Sequence, residues 1–380
     1  MIIPKLGLYI HIPFCIRKCP YCDFFSEKIS SKEIVDKYVE ALIHELSLYS
    51  ELTSNRLVET IYIGGGTPTL FSPKKIDQIL NAVNKLFTIS ADAEISMEAN
   101  PGTVSSDDIR NYREIGINRL SIGIQSLNDK FLKILHRIHT RKEAIKVAET
   151  VSKYYDNFNL DLMHSLPGQT YADAINDLKE LISLNPRHIS WYQLTIEEGT
   201  AYAESIPSLP DEDVIDSIYI EGYDLLKSSG YHHYEVSAFA QKEYQCKHNV
   251  NYWTFGDYLG AGAGAHSKLT INNKIRRQSR IENTCTYINN LLENQPQEIY
   301  LSNEIIPEQN IPFEYFLNRL RLFTPLSINE YENYTGLSFN NIRYLFEKYS
   351  EDNLVTIEKD KITITEKGQL FINQMLEDFL

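Results

Sequence analysis

Apolar positions along the chain follow two periods, and the alternation between them sets out the fold. Leu6 to Ile12 is apolar and rich in β-formers, which predicts a buried strand. Lys32 to Leu52 carries Ile34, Val35, Tyr38, Leu42 and Leu46 at helical spacing, which predicts a helix. The same exchange then repeats. Strands are predicted over 59–63, 94–99, 118–124, 158–163 and 188–194. Helices are predicted over 73–87, 105–115, 129–135, 141–153 and 171–184, the first of them opened by Pro73 as first-turn geometry allows. Strands that alternate with helices in this way form a parallel sheet with helical crossovers. Their short, regular lengths predict a barrel or partial barrel, an α/β fold.

Chemistry in such folds gathers at the C-terminal ends of the strands. Each strand end here carries something usable: cysteines after the first, glycines after the second, Glu98 on the third, Gln125 after the fourth, Asp161 within the fifth and Gln193 near the end of the sixth. Beyond this region, 214–226 predicts a helix and 231–239 a further strand. A looser stretch, Cys246-Lys247-His248-Asn249-Val250-Asn251-Tyr252-Trp253, is followed by the run Gly260 to Gly264. From about Asn303 short amphipathic helices take over, with a hairpin over 354–357 and 361–365 and a last helix over 366–380. The expected division is a barrel at 1–235, an extension at 236–302 and a small helical, winged-helix-like domain at 303–380.

Composition adds limits. The chain has 380 residues, 43% hydrophobic and 23% charged, with a net charge of −14. The acidic balance argues against a general nucleic-acid binder, which would show a basic patch or stripe. No apolar run is long enough to span a bilayer. The start of the chain, Met1 to Lys5, runs into a strand without a secretory pattern. Five cysteines, three of them clustered, make no disulfide framework and suit a reducing cytoplasm.

The clustered cysteines are Cys15, Cys19 and Cys22, spaced C-x3-C-x2-C. Three thiolates holding a cubane iron-sulfur cluster leave one iron free for a small chelating molecule. Two other readings stand beside this one. His11, four residues before Cys15, could complete a Cys3His zinc site. The three thiols could also be unrelated and buried. Gly64-Gly65-Gly66-Thr67-Pro68-Thr69 is neither a P-loop nor a dinucleotide fingerprint, and in isolation is a tight turn. Glu98 and Asp161 could be solvated carboxylates or partners of ribose hydroxyls and amino groups. Arg137 is a surface arginine or a bidentate carboxylate partner. His248 is a structural corner, or an axial ligand to haem iron with Tyr252 and Trp253 covering the porphyrin.

Taken together, these motifs resemble the coproporphyrinogen-oxidase-like branch of the radical S-adenosylmethionine proteins, and within it the haem-chaperone type. The resemblance runs from Tyr9 to the last helix. It implies a partial (β/α)6 barrel and a 4Fe-4S cluster on Cys15, Cys19 and Cys22. It implies contacts to cluster-bound S-adenosylmethionine from Tyr9, Tyr21, Gly65 and Glu98. Gly66, Thr67, Gln125, Arg137 and Asp161 match positions where the oxidase branch holds a second S-adenosylmethionine. His248-Asn249-x-x-Tyr252-Trp253 matches a motif associated with haem. The implied protein is a cytoplasmic haem chaperone, more than a coproporphyrinogen dehydrogenase. Its partner would be a haem-accepting protein, with peripheral contact to membrane haem proteins, and not a nucleic acid. Against the oxidase itself, Phe24 stands where that branch has a further cysteine, and only eight residues precede Tyr9. Ser165 and Ala238 stand where the chaperone pattern usually has Gly and Asn.

Overall fold

The strand β1 (Leu6–Ile12) sends Leu6, Leu8, Ile10 and Ile12 into the main hydrophobic core and Gly7, Tyr9 and His11 to its other face. The computed structural model describes residues 1–53, 56–293 and 295–380, and the same division repeats in every parallel strand. These are β2 (Leu57–Gly65), β3 (Thr88–Ala99), β4 (Arg119–Gln125), β5 (Phe158–His164) and β6 (His188–Gln193). They pair in chain order, all parallel.

Helices α1 (Lys32–Ser50), α2 (Pro73–Leu86), α3 (Ser106–Glu114), α4 (Asp129–Ile134), α5 (Arg141–Tyr154) and α6 (Tyr171–Ser183) make the crossovers. Ser105, Thr140 and Thr170 each close a capping box with the carboxylate three residues on, so α3, α5 and α6 start at a defined residue after each turn.

A helix, α7 (Glu212–Ser228), follows the last parallel strand. The expected strand over 231–239 is instead a hairpin, β7 (His232–Glu235) and β8 (Ala238–Ala240), with β8 antiparallel to β6. The stretch expected to be loose is a short helix, α8 (Lys247–Trp253). The chain then returns to the far side of β1. There β9 (Asp257–Ala261) pairs with it in parallel, and β10 (His266–Ile271), β11 (Lys274–Arg280) and β12 (Tyr300–Ile305) continue the sheet antiparallel. The sheet order is β12-β11-β10-β9-β1-β2-β3-β4-β5-β6-β8-β7. The expected partial barrel is therefore present, and its sheet extends through the residues that follow it.

Two buried charge networks fasten the returning strands. Glu45 on α1 and Arg280 on β11 are both fully buried and pair at 2.5 Å. Glu45 also accepts from the Gly262 N–H (2.8 Å) and the Tyr287 hydroxyl (2.5 Å). Asp257 pairs with Arg56 (2.8 Å) and Lys268 (3.1 Å) and accepts from Thr270.

The C-terminal region has its own core, built on Tyr315, Phe316, Tyr331, Phe346 and Tyr349. It contains α9 (Ile311–Arg319), α10 (Ile328–Thr335), α11 (Arg343–Glu351) and a small wing formed by 326–327, 355–358 and 361–364. The single last helix expected over 366–380 is broken into Glu366–Gln369 and Ile372–Glu377. Gly368 packs so closely on the Leu354 carbonyl that a Cβ there would lie 2.0 Å from it.

Candidate functional site

Pro13 ends β1, and the chain enters a loop whose base is tied by the pairing of Phe14-Cys15 with Glu27-Lys28. The loop carries Cys15, Cys19 and Cys22 as free thiols at the C-terminal rim of the barrel, where all three line one cavity. The Cys15 thiol lies 3.4 Å from the Thr67 hydroxyl, and Arg137 donates to Cys19 Sγ at 3.7 Å. Burial pushes the Cys22 thiol up to about 11, with the neighbouring sulfurs adding to the effect. Among the described residues no three His, Cys, Asp or Glu side chains converge on one point as a single ion would require. His11 is also committed elsewhere: its Nε2–H donates to the Phe25 carbonyl (2.9 Å) and its Nδ1 accepts from the Tyr9 hydroxyl (2.9 Å). With both ring nitrogens engaged, His11 is not free to complete a Cys3His zinc site.

The cavity, about 340 Å³, runs from the thiols to the N-terminal end of the barrel. Inward positions of the strands make its walls: Tyr62 from β2, Glu98 from β3, Arg119, Ser121, Gly123 and Gln125 from β4, Asn159 and Asp161 from β5, and His188, Ser190 and Tyr192 from β6. Tyr21, Gly65, Gly66, Thr67 and Arg137 complete the upper wall. Of the residues expected at the S-adenosylmethionine sites, all but Tyr9 are brought together here. Tyr9 lies one layer behind, its ring stacked on Tyr62 (centroids 6.3 Å apart) and its hydroxyl on His11. Gln193 is exposed outside the barrel and the adjacent Tyr192 faces in, its hydroxyl donating to Gln125 at 2.8 Å.

Backbone strain marks the rim. Gln125 has φ 66° and Ser165 φ 58°, both in the left-handed region that non-glycine residues seldom adopt. The usual glycine at position 165 has its reason in that angle. Gly65 has φ 110°, and a Cβ on it would lie 2.6 Å from the His11 ring. Its N–H donates to Glu98 Oε2 at 3.1 Å, and the Tyr62 hydroxyl donates to Oε1 at 3.0 Å. Burial, then the Asp161 carboxylate, push Glu98 up to about 7. Arg137 donates to the Gly123 carbonyl at 2.7 Å, while its buried Nε has no partner. A guanidinium with a free Nε and a carboxyl, in one cavity with three thiols, suit an amino-acid chelate on a cluster iron.

The H-N-x-x-Y-W segment lies at the far end of the cavity from the thiols. Helix α8 closes the floor of the barrel, with Cys246 and Asn249 lining the cavity. His248 is 1% exposed and wedged beneath β1 and β2. Its Nδ1 is hydrogen bonded to the Thr60 hydroxyl (2.8 Å) and its Nε2 to the Tyr252 hydroxyl (2.7 Å), and its ring stacks on Tyr62. Burial lowers its pKa to about 3, so the ring is neutral. Tyr252 and Trp253 do not stand open to solvent as a ready porphyrin cover. Both are half-buried, Tyr252 against Tyr258 and Trp253 beneath the Arg321 guanidinium. The exposed apolar side chains near the site are instead Ile16 (50%) and Phe24 (55%), at the cavity mouth.

Sequence reasoning missed Tyr62, Arg119, Asn159, His188 and Ser190. Their signal was the alternation itself. Arg119-x-Ser121-x-Gly123-x-Gln125 and His188-x-Ser190-x-Tyr192 place a polar or small residue at every second position of otherwise apolar strands.

Comparison with known proteins agrees with this architecture. Residues 9–181 match the Radical SAM superfamily and residues 306–371 the HemN C-terminal domain. Membership of that superfamily implies a 4Fe-4S cluster and S-adenosylmethionine. The solved coproporphyrinogen III oxidase HemN from Escherichia coli superposes with a TM-score of 0.85 over 99% of this chain and 90% of its own, at 24% identity, a likeness of fold. The heme chaperone HemW of Escherichia coli is 43% identical over 100% of this chain and 99% of its own length. HemW of Haemophilus influenzae is also 43% identical, over 100% of this chain and 98% of its own length, and HemW of Bacillus subtilis is 31% identical over 98% of each. The chain belongs to the HemW family of the radical SAM superfamily.

Proposed function

We propose that this protein is a cytoplasmic haem chaperone that holds a 4Fe-4S cluster on Cys15, Cys19 and Cys22, binds S-adenosylmethionine in the barrel cavity, and passes haem to an acceptor protein. The observation that carries the reading is end-to-end likeness to HemW chaperones in a chain whose three thiols, Gly65, Glu98 and Arg137 share one cavity. No helix among the described residues is long and apolar enough to cross a membrane, which suits a carrier that meets membrane haem proteins at their surface. When bound, the cluster and S-adenosylmethionine supply one-electron chemistry. The chain's own part is to place a carboxylate at Glu98, a guanidinium at Arg137 and ribose partners at Gln125 and Asp161, with Tyr21, Gly66 and Thr67 shaping the upper wall.

Glu98 gives this reading a pH signature. Its folded pKa of about 7 stands above the ordinary value of 4.5. Its contribution to the stability of the ligand-free protein is therefore full below pH 4.5 and is lost as the pH rises to about 7. The groups facing it are the Tyr62 hydroxyl, the Gly65 N–H and Asp161, none of them a cation. A bound amino group that donates its N–H to Glu98 reverses the preference and favours the carboxylate. S-Adenosylmethionine affinity is expected to rise about tenfold between pH 6 and pH 8, and Glu98→Gln to bind weakly with a flat profile. Isothermal titration across that range checks both; a flat wild-type profile contradicts the assignment of Glu98.

Haem is assigned to His248, Tyr252 and Trp253. Because both nitrogens of His248 are engaged, haem capture requires Thr60 and Tyr252 to release the ring and α8 to leave the floor. His248→Ala is expected to weaken haem binding or shift the Soret band while cluster iron and sulfide stay unchanged. Haem titration of the variant with unaltered affinity and spectrum would move the haem site to the exposed Ile16 and Phe24.

A further inference from the structure

At the floor of the cavity Arg119 carries a guanidinium that no described residue meets in a hydrogen bond or ion pair. It is 2% exposed and lines the cavity. Its Nε is buried without a hydrogen-bond partner, and no described residue pairs with its terminal nitrogens. Its surroundings are otherwise fully engaged. Asn159 donates to Ser121 (2.8 Å) and to Asp161 (2.7 Å), and accepts from His188 Nδ1 (2.6 Å) and Ser190 (3.2 Å). His188 Nε2 in turn accepts from the Tyr234 hydroxyl at 2.8 Å.

Glu94, Asp161 and the Cys246 thiol lie near Arg119, and none pairs with it. Glu94 Oε1 accepts from Ser96 (3.3 Å), the Cys246 thiol (3.6 Å) and the His248 N–H (3.3 Å), and the carboxylate forms no ion pair with the guanidinium. The Cys246 thiol is itself turned to Glu94 as a donor. The contrast with Arg280 is direct. That arginine is also buried, but it meets Glu45, Tyr49 and the Gly260 carbonyl. A desolvated guanidinium with its planar fork of donors unpaired is costly to keep unless a ligand completes it.

We propose that Arg119 anchors a carboxylate subsite at the barrel floor, taking the carboxylate of a small ligand whose stem runs up the cavity. A planar monoanion suits it in two ways. The guanidinium edge matches a carboxylate in bidentate geometry. The carboxyl groups of Glu94 and Asp161 nearby disfavour a tetrahedral dianion. The subsite is separate from Arg137, which lies at the other end of the cavity beside Cys19. It rests on the cavity with α8 closing its floor and needs no bound haem.

The test uses full-length, cluster-containing protein under anaerobic conditions without S-adenosylmethionine. Labelled propionate is the probe in equilibrium dialysis, with propionamide and sulfate as competitors. The wild type is expected to bind one equivalent saturably, displaced by unlabelled propionate and not by propionamide or sulfate. Arg119→Met is expected to lose at least tenfold in affinity while melting no lower than the wild type, since it removes an unpaired charge. Absence of saturable binding, equal binding by Arg119→Met, or displacement by sulfate overturns the proposal. So does a fall of several degrees in the melting temperature of ligand-free Arg119→Met, which would make the arginine a structural counter-charge to Glu94.

Discussion

Cys19→Ser protein prepared anaerobically is expected to lose nearly all cluster iron and inorganic sulfide, whereas Cys246→Ser and Cys285→Ser keep both. The three loop thiols share one rim, and each would be needed by the proposed cluster, which has no fourth protein ligand. Cys19 is the most exposing test, because it also accepts from Arg137 and so joins the cluster loop to the cofactor wall. Serine preserves the volume and removes the soft ligand. Cys246 is buried at the opposite end of the cavity against Glu94, and Cys285 is exposed on another helix. Iron and sulfide analysis of the three variants decides the matter. Full retention in Cys19→Ser would place the cluster elsewhere.

Glu45→Ala is expected to destabilise the protein by about 3–5 kcal/mol, the usual cost of leaving a buried charge without its partner. Glu45 ties α1 to the returning strands through Arg280, Tyr287 and the Gly262 N–H, all of them buried. The double variant Glu45→Ala/Arg280→Met removes the stranded guanidinium and is expected to recover a large part of that loss. Denaturant unfolding of the single and double variants measures the difference. A double variant no more stable than Glu45→Ala would show that packing, and not charge, carries the penalty.

The crossover core was legible because each strand and helix satisfies its own period. Leu6–Ile12 matches its expected bounds to the residue, and the helices from 73 to 184 agree within one residue at each end. What failed depended on partners distant in sequence. The two readings of His248, structural corner or haem ligand, could not be separated in sequence because its burial comes from Thr60 and Tyr62, nearly two hundred residues earlier. The short α8 lacks a helical stripe of its own, being a plug whose faces meet the cavity, β2 and the C-terminal region at once. The exchange of Gln193 for Tyr192 is a one-residue error of parity, enough to invert which side chain faces the site. Arg119 went unnoticed because an arginine opening a strand reads as a solvated edge, until the floor closes over it.

The central claim is that the radical SAM site here serves a haem chaperone and not porphyrinogen decarboxylation. The most direct measurement is anaerobic incubation of the cluster-loaded protein with coproporphyrinogen III, a reductant and S-adenosylmethionine, followed by chromatography of the oxidised porphyrins. The account predicts that coproporphyrin alone is recovered. Formation of protoporphyrin over multiple turnovers would contradict it.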